Sequence, residues 1–305
     1  MLSSPPKTGL NPPTKKNNMA KQITQQVKDA ADGAFVDLPL GFTHYKMEGD
    51  AGEWCVLVHG YATPLFIYDK IAAGLLTAGY RVLRYDLFGR GLSQRLKTDY
   101  TPALFAEQLY QLVTALIPDQ TFYLFGTSMG GSITTTFVAA HSQLVKKLVL
   151  YAPAGMVFDA PLYMKMARLP VLGECMFYTL GGPILTKGCA KELLYSSQEV
   201  VADYRAQFAS YVKYSGTLRA TLSSLRHTIL AFDETKKGYD GTRESGIPVL
   251  VVWGTADKTM PYYQAERMQQ ALPNMRLVTY EGSGHVFLYD EGDRTLQTTL
   301  PFLAE

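Results

Sequence analysis

The sequence predicts an α/β protein: a mostly parallel sheet with helices on both faces, interrupted late in the chain by an all-helical insertion. Three observations carry this. From residue 35, short β-branched, apolar runs alternate with longer amphipathic stretches. From Trp54 onward the runs are almost continuously apolar, as strands covered on both faces must be. Between Ala154 and Ile247 the strand-like runs stop while helical periodicity continues.

The elements follow in order. Residues 1–33 read as a polar tail; Ser3 to Asn18 is rich in Pro, Lys, Asn and Thr, and Met19 resembles an ordinary start, so residues 1–18 read as an upstream extension. Expected strands are Phe42–Met47, Trp54–Val58, Tyr80–Tyr85, Thr121–Phe125, Lys147–Tyr151, Val249–Trp253 and Leu277–Tyr280. Amphipathic helices are expected at Tyr68–Ala78, around Leu104 to Leu116, at Gly131–Ala140 and at Met260–Leu272. The domain reading is a core of residues 34–154 and 247–305, with residues 155–246 as a helical insertion.

Composition sets the outer limits. Of 305 residues, 47% are hydrophobic and 18% charged, enough for a large core and too apolar for disorder, collagen or a coiled coil. The net charge is +2, but the first 28 residues hold five lysines and no acid, so the remainder carries −3. Nothing in that balance points to nucleic acid. No apolar run is long enough for a membrane helix, and the amino terminus lacks the apolar core of a signal peptide. Three cysteines without metal-type spacing fit a reducing, cytoplasmic location.

The chemistry-bearing motif is Gly126-Thr127-Ser128-Met129-Gly130, placed directly after an expected strand and directly before an expected helix. G-x-S-x-G alone arises by chance roughly 0.1 times in such a chain. Its strand–turn–helix setting is far rarer. A sharp elbow there lifts the Ser128 hydroxyl above the sheet, and Gly126 and Gly130 leave room for the bend. A serine needs a base, and the base an acid. Two later strands each end in a glycine-containing loop, Gly254-Thr255-Ala256-Asp257 and Glu281-Gly282-Ser283-Gly284-His285. Of the five histidines, His285 alone lies in the loop where a base is required. Asp159 is a weaker candidate for the acid.

These motifs, with His59-Gly60-Tyr61, Asp86-Leu87-Phe88-Gly89-Arg90-Gly91-Leu92-Ser93 and Trp253-Gly254, make the chain resemble the α/β-hydrolase superfamily from about Phe35 to its end. The resemblance implies an eight-stranded sheet, a helical cap after the sixth strand, and a triad of Ser128, Asp257 and His285. It places the oxyanion donors at the backbone N–H groups of Tyr61 and Met129. His59 then braces the oxyanion loop and Asp86 shapes a turn. Residues 155–185 carry only four charges among many large apolar side chains, so Met164 and Phe177 are candidates for an acyl pocket.

Sibling families narrow the reading. Epoxide hydrolases and haloalkane dehalogenases carry Asp at the elbow, against Ser128. Carbon–carbon bond hydrolases of aromatic degradation usually show Asn before the nucleophile, where Thr127 stands. Monoacylglycerol lipases and haloperoxidase-like esterases share Ser128-Met129-Gly130-Gly131. The expected function is a serine hydrolase of a small or medium apolar ester, needing no metal and no cofactor. The alternatives are a carbon–carbon hydrolase, a perhydrolase-like esterase and a triad-retaining receptor. The expected partner is the small-molecule ester alone; a dimer is left open.

Overall fold

The computed structural model describes residues 20–305. The reading of residues 1–18 lies outside the described residues. Eight strands form one sheet: β1 (Ala34–Leu38), β2 (Gly41–Glu48), β3 (Trp54–Val58), β4 (Arg81–Tyr85), β5 (Phe122–Thr127), β6 (Val145–Tyr151), β7 (Val249–Gly254) and β8 (Arg276–Tyr280). Their spatial order is β1-β2-β4-β3-β5-β6-β7-β8. Strand β2 runs antiparallel to both neighbours, and β3 to β8 are mutually parallel. All seven expected strands are present. The eighth, β1, is an edge strand whose sequence Ala-Phe-Val-Asp-Leu lacks both alternation and full burial, so it gave no pattern to read.

The helices are α1 (Gln25–Asp29), α2 (Asp69–Thr77), α3 (Pro102–Leu116), α4 (Met129–His141), α5 (Leu162–Ala167), α6 (Leu172–Met176), α7 (Gly182–Gly188), α8 (Gln198–Val212), α9 (Thr217–Ser224), α10 (Phe232–Ser245), α11 (Tyr263–Ala271), α12 (Phe287–Asp290) and α13 (Gly292–Ala304). Alternate residues of a strand point to opposite faces. On β5 the Tyr123 hydroxyl reaches the Leu303 carbonyl of α13, while Gly126 lies against Thr134 of α4. Both faces of the sheet are thus covered, and β3, β5 and β7 are buried at every position. Each fully buried aliphatic or aromatic side chain contributes about 1.5–3 kcal/mol.

Two departures have physical causes. Residues 20–33, expected to be polar tail, carry structure: Lys21 bridges to Tyr214, Thr24 caps α1, and Lys28 lies over the Phe42 ring at 3.7 Å. The lysine stem and cation–π contact anchor a segment whose composition alone reads as solvated. Helix α10, expected within the roof, packs on α4 instead. Its Tyr239 hydroxyl donates to the Ala154 carbonyl at 2.6 Å, and Thr242 donates to the Thr135 carbonyl at 3.2 Å. It belongs to the helix layer of the sheet, and the remaining insertion is α5 to α9 with the connections between them.

Candidate active site

Strand pairing decides what meets at the carboxyl edge. Val58 of β3 pairs with Gly126 of β5, so the loops that follow, with Tyr61 and Ser128, emerge side by side. Gly254 of β7 pairs with Tyr280 of β8, so the loops bearing Asp257 and His285 do the same. Chain order reverses around β3, and ligands of open α/β sheets bind at such a switch point.

Ser128 adopts φ 53° and ψ −123°, a strained conformation for a residue with a side chain. The bend is held on both sides. The Ser128 N–H donates to the Tyr151 carbonyl at 3.0 Å, and its carbonyl accepts from Gly131 and Ala154 at 2.9 and 2.8 Å. A methyl at Gly126 would meet the Gly130 carbonyl oxygen at 2.6 Å, and one at Gly130 would meet the carbonyl oxygens of Val58 and His59. Glycine is required at both positions by close backbone approach.

His285 Nδ1 lies 2.7 Å from Asp257 Oδ2. The other oxygen, Asp257 Oδ1, accepts the backbone N–H groups of Thr259 and Met260 at 2.9 and 2.7 Å. The carboxylate therefore keeps one oxygen for the imidazole. Burial of the imidazole disfavours its charge, but the Asp257 charge and hydrogen bond, helped by Glu192, outweigh it and hold His285 above its ordinary value of 6.5. The loops bearing Asp257 and His285 are stapled together: Thr255 N–H donates to the Tyr280 carbonyl and Ala256 N–H to the Ser283 carbonyl, both at 3.0 Å.

Beneath the Tyr61 loop lies buried His59. Burial pushes its pKa down to about 4, so the ring is neutral at ordinary pH. Its Nε2 accepts from the Leu87 N–H at 2.9 Å. The proton must then sit on Nδ1, which donates to the Gly60 carbonyl at 2.9 Å. Arg90, also buried, donates from Nε to the Tyr61 carbonyl at 2.8 Å. Asp86 accepts the N–H groups of Leu65 and Leu92 and faces His44 at 2.7 Å, the turn-shaping work expected of it.

Ser128 and His285 line one cavity of about 160 Å³, with Tyr61, Ala62, Thr63 and Leu288 from the core and Cys189, Glu192 and Tyr204 from the insertion. The two side chains make no direct hydrogen bond, a spacing common in unliganded sites. Neither Met164 nor Phe177 lines this cavity. The reason is geometric: the segment around α7 and α8, not the Met-rich first third of the insertion, reaches over the serine. Asp159 does not line this cavity; its carboxylate is 91% exposed and paired with Lys165. The residues missed from sequence are Cys189, Glu192 and Tyr204, which sit in stretches with no motif and no distinctive spacing. Among the described residues, no group of three or more His, Cys, Asp or Glu side chains is placed to hold a metal ion.

The family model described as serine aminopeptidase, S33, matches residues 49–292. The chain belongs to this family. It is an α/β hydrolase, as the sheet and the similar solved structures also show. It is 27% identical to a 2-hydroxy-6-oxononadienedioate/2-hydroxy-6-oxononatrienedioate hydrolase of Dechloromonas aromatica, over 92% of this chain and 98% of that protein. Lipase 1 of Psychrobacter immobilis is 24% identical over 91% of this chain and 86% of its own. An esterase from Exiguobacterium antarcticum superposes with a TM-score of 0.74, at 21% identity, over 90% of this chain and all of the other. Within this hydrolase family the relatives differ in substrate class. No helix among the described residues is long and apolar enough to cross a membrane.

Proposed function

We propose that this hydrolase cleaves a small, neutral carboxylic ester through an acyl-enzyme on Ser128. The carrying observation is that His285, paired with Asp257, lines the same cavity as a strained Ser128. His285 Nε2 takes the Ser128 proton as Oγ attacks the ester carbonyl. The oxyanion is received by the N–H groups of Tyr61 and Met129, each worth about 2.7–4 kcal/mol in such sites. Met129 is the first residue of α4, so its N–H has no intrahelical acceptor and sits at the positive end of the helix. The His59 hydrogen bond to the Gly60 carbonyl polarises the Gly60–Tyr61 peptide and sharpens the other donor. His285 then gives the proton to the departing alcohol. Water, deprotonated by His285, cleaves the acyl-enzyme to the acid and restores Ser128.

The cavity lining favours a neutral ester over its rivals. A dicarboxylate substrate calls for a cationic partner, and among the described residues no Lys or Arg lines the cavity. An aminopeptidase must hold a free ammonium on a carboxylate. Among the described residues the one acidic group lining it, Glu192, is already bonded to three donors of the protein. At about 160 Å³ the cavity falls below the roughly 300 Å³ of a drug-sized site, which favours short chains. Turnover of p-nitrophenyl esters from acetate to palmitate, with Ser128→Ala as control, tests this. Short-chain turnover abolished by the substitution supports the proposal. No turnover, or turnover surviving in Ser128→Ala, refutes it and favours a receptor or another chemistry.

A further inference from the structure

Glu192 lies in the connection between α7 and α8, far in sequence from both catalytic loops, yet its carboxylate binds both. Its Oε2 accepts the backbone N–H of His285 at 3.1 Å. Its Oε1 accepts the Thr259 hydroxyl at 3.0 Å, and the Lys258 N–H is shared between the two oxygens at 3.2 and 3.3 Å. Thr259 is itself one of the residues whose N–H holds Asp257. One carboxylate thus ties the base loop to the acid loop from above. Gly284 admits it: a methyl there would meet the Glu192 carbonyl oxygen at 2.7 Å and Oε2 at 3.1 Å.

A second tether lies next to it and runs the other way. Asp290 of α12 accepts the N–H groups of Leu194 and Tyr195 at 2.7 and 2.8 Å, and the Ser196 hydroxyl. Asp290 fastens the insertion to the core without bonding either catalytic loop. Glu192 does what Asp290 does not: its hydrogen bond ends on the backbone of the catalytic base. The charged groups bearing on the imidazole are Asp257, on the loop after β7, and Glu192 on the insertion.

We infer that Glu192 is a positioning residue of the catalytic centre, a carboxylate supplied by the insertion that sets the orientation of His285 against Asp257 and so makes catalysis depend on a seated insertion. When the α7–α8 connection is in place, three donors of the two loops converge on one carboxylate and the imidazole is aimed at Ser128. Without that carboxylate the His285 N–H loses its acceptor, and the loops keep only the bonds they make to each other. The inference rests on the reading of Ser128 and His285 as nucleophile and base.

The test combines ester kinetics, the rate of Ser128 labelling by a small fluorophosphonate, and the His285 titration followed by NMR, assigned with His285→Gln. In Glu192→Gln, kcat and the labelling rate should fall about 100-fold, the loss typical of a catalytic group misplaced by about an ångström. KM should change less than about twofold, since no substrate-binding atom is removed. The His285 titration should move to lower pH, because a negative charge near the imidazolium is gone. Glu192→Asp should keep more of that titration than Gln does while recovering only part of kcat, since it keeps the charge and loses reach. Asp290→Asn should leave the His285 titration in place. Should Glu192→Gln fail to fold, Gly284→Ala carries the test, and must lower the labelling rate by displacing the carboxylate. Wild-type kcat, labelling and titration in folded Glu192→Gln, or wild-type labelling in Gly284→Ala, overturn the inference. Wild-type protein that never labels at Ser128 overturns the proposed function instead, and the NMR titration then still judges whether Glu192 acts on His285.

Discussion

At the scale of single residues, the site is a set of polar groups each left with one job. Asp257 spends one oxygen on two backbone N–H groups and the other on His285, so Asp257→Asn should leave the fold intact and present an N–H where an acceptor is needed. Turnover should fall about ten-thousandfold, and His285→Ala should cost about a millionfold, both read from ester hydrolysis. The raised pKa of His285 has a sign that can be followed. A base must be unprotonated, so kcat/KM should fall on the acid side with a midpoint above 6.5, visible in a pH profile. Stability runs the other way. A pKa raised on folding adds stability that is fully present below the unfolded value and is lost as pH rises through the folded one. His59 poses the opposite case. His59→Ala would leave the Leu87 N–H and the Gly60 carbonyl buried without partners, at about 1–3 kcal/mol each, measurable by urea denaturation.

At the scale of elements, what was legible is what repeats or what a backbone constraint demands. Strands β3, β5 and β7 announce themselves because burial on both faces requires nearly uninterrupted apolar runs. The elbow is legible because Gly126 and Gly130 are imposed by backbone contacts, and no other residue type fits. Gly130→Ala is therefore expected to destabilise the protein by about 1–3 kcal/mol as its methyl presses on two carbonyls, and to slow Ser128 labelling by tilting the first turn of α4. The insertion was legible only as helical. Helices α5, α6 and α7 are each seven residues or shorter, too short for a clear apolar stripe. Two π-type turns, Phe177–Gly181 and Leu225–Ile229, shift the helical phase that periodicity relies on. Val171 at φ 66° is a turn that a β-branched residue does not advertise. So the sequence could say that a roof existed without saying which residues it lowered over the serine, and Glu192 left no local trace at all.

At the scale of the whole molecule, the proposed ester specificity turns on which part of the insertion meets the cavity beside Ser128. The Met-rich stretch was the natural place to expect an acyl pocket, because its apolar side chains carry few charges. In the folded chain its Leu162, Tyr163, Leu169 and Val171 side chains are more than half exposed, and the cavity closes around Cys189 and Tyr204 instead. Tyr204 is held by its neighbours: its hydroxyl lies 3.1 Å from the Thr63 hydroxyl, and its ring stands edge-on to Phe66 and Tyr289. A wall fixed on three sides cannot swing away to admit a longer chain. Truncating it should therefore lengthen the preferred acyl group, and enlarging another lining residue should shorten it. Tyr204→Ala is expected to move the p-nitrophenyl ester preference from acetate and butyrate toward hexanoate and octanoate, with some loss of stability from the cavity created. Cys189→Leu should restrict turnover to acetate while labelling by a small fluorophosphonate continues. Met164→Ala and Phe177→Ala, outside the cavity, should leave the chain-length profile where it was. A profile that moves with Met164 or Phe177 and ignores Tyr204 and Cys189 would mean that the roof binds substrate in a different seating from the one that closes this cavity.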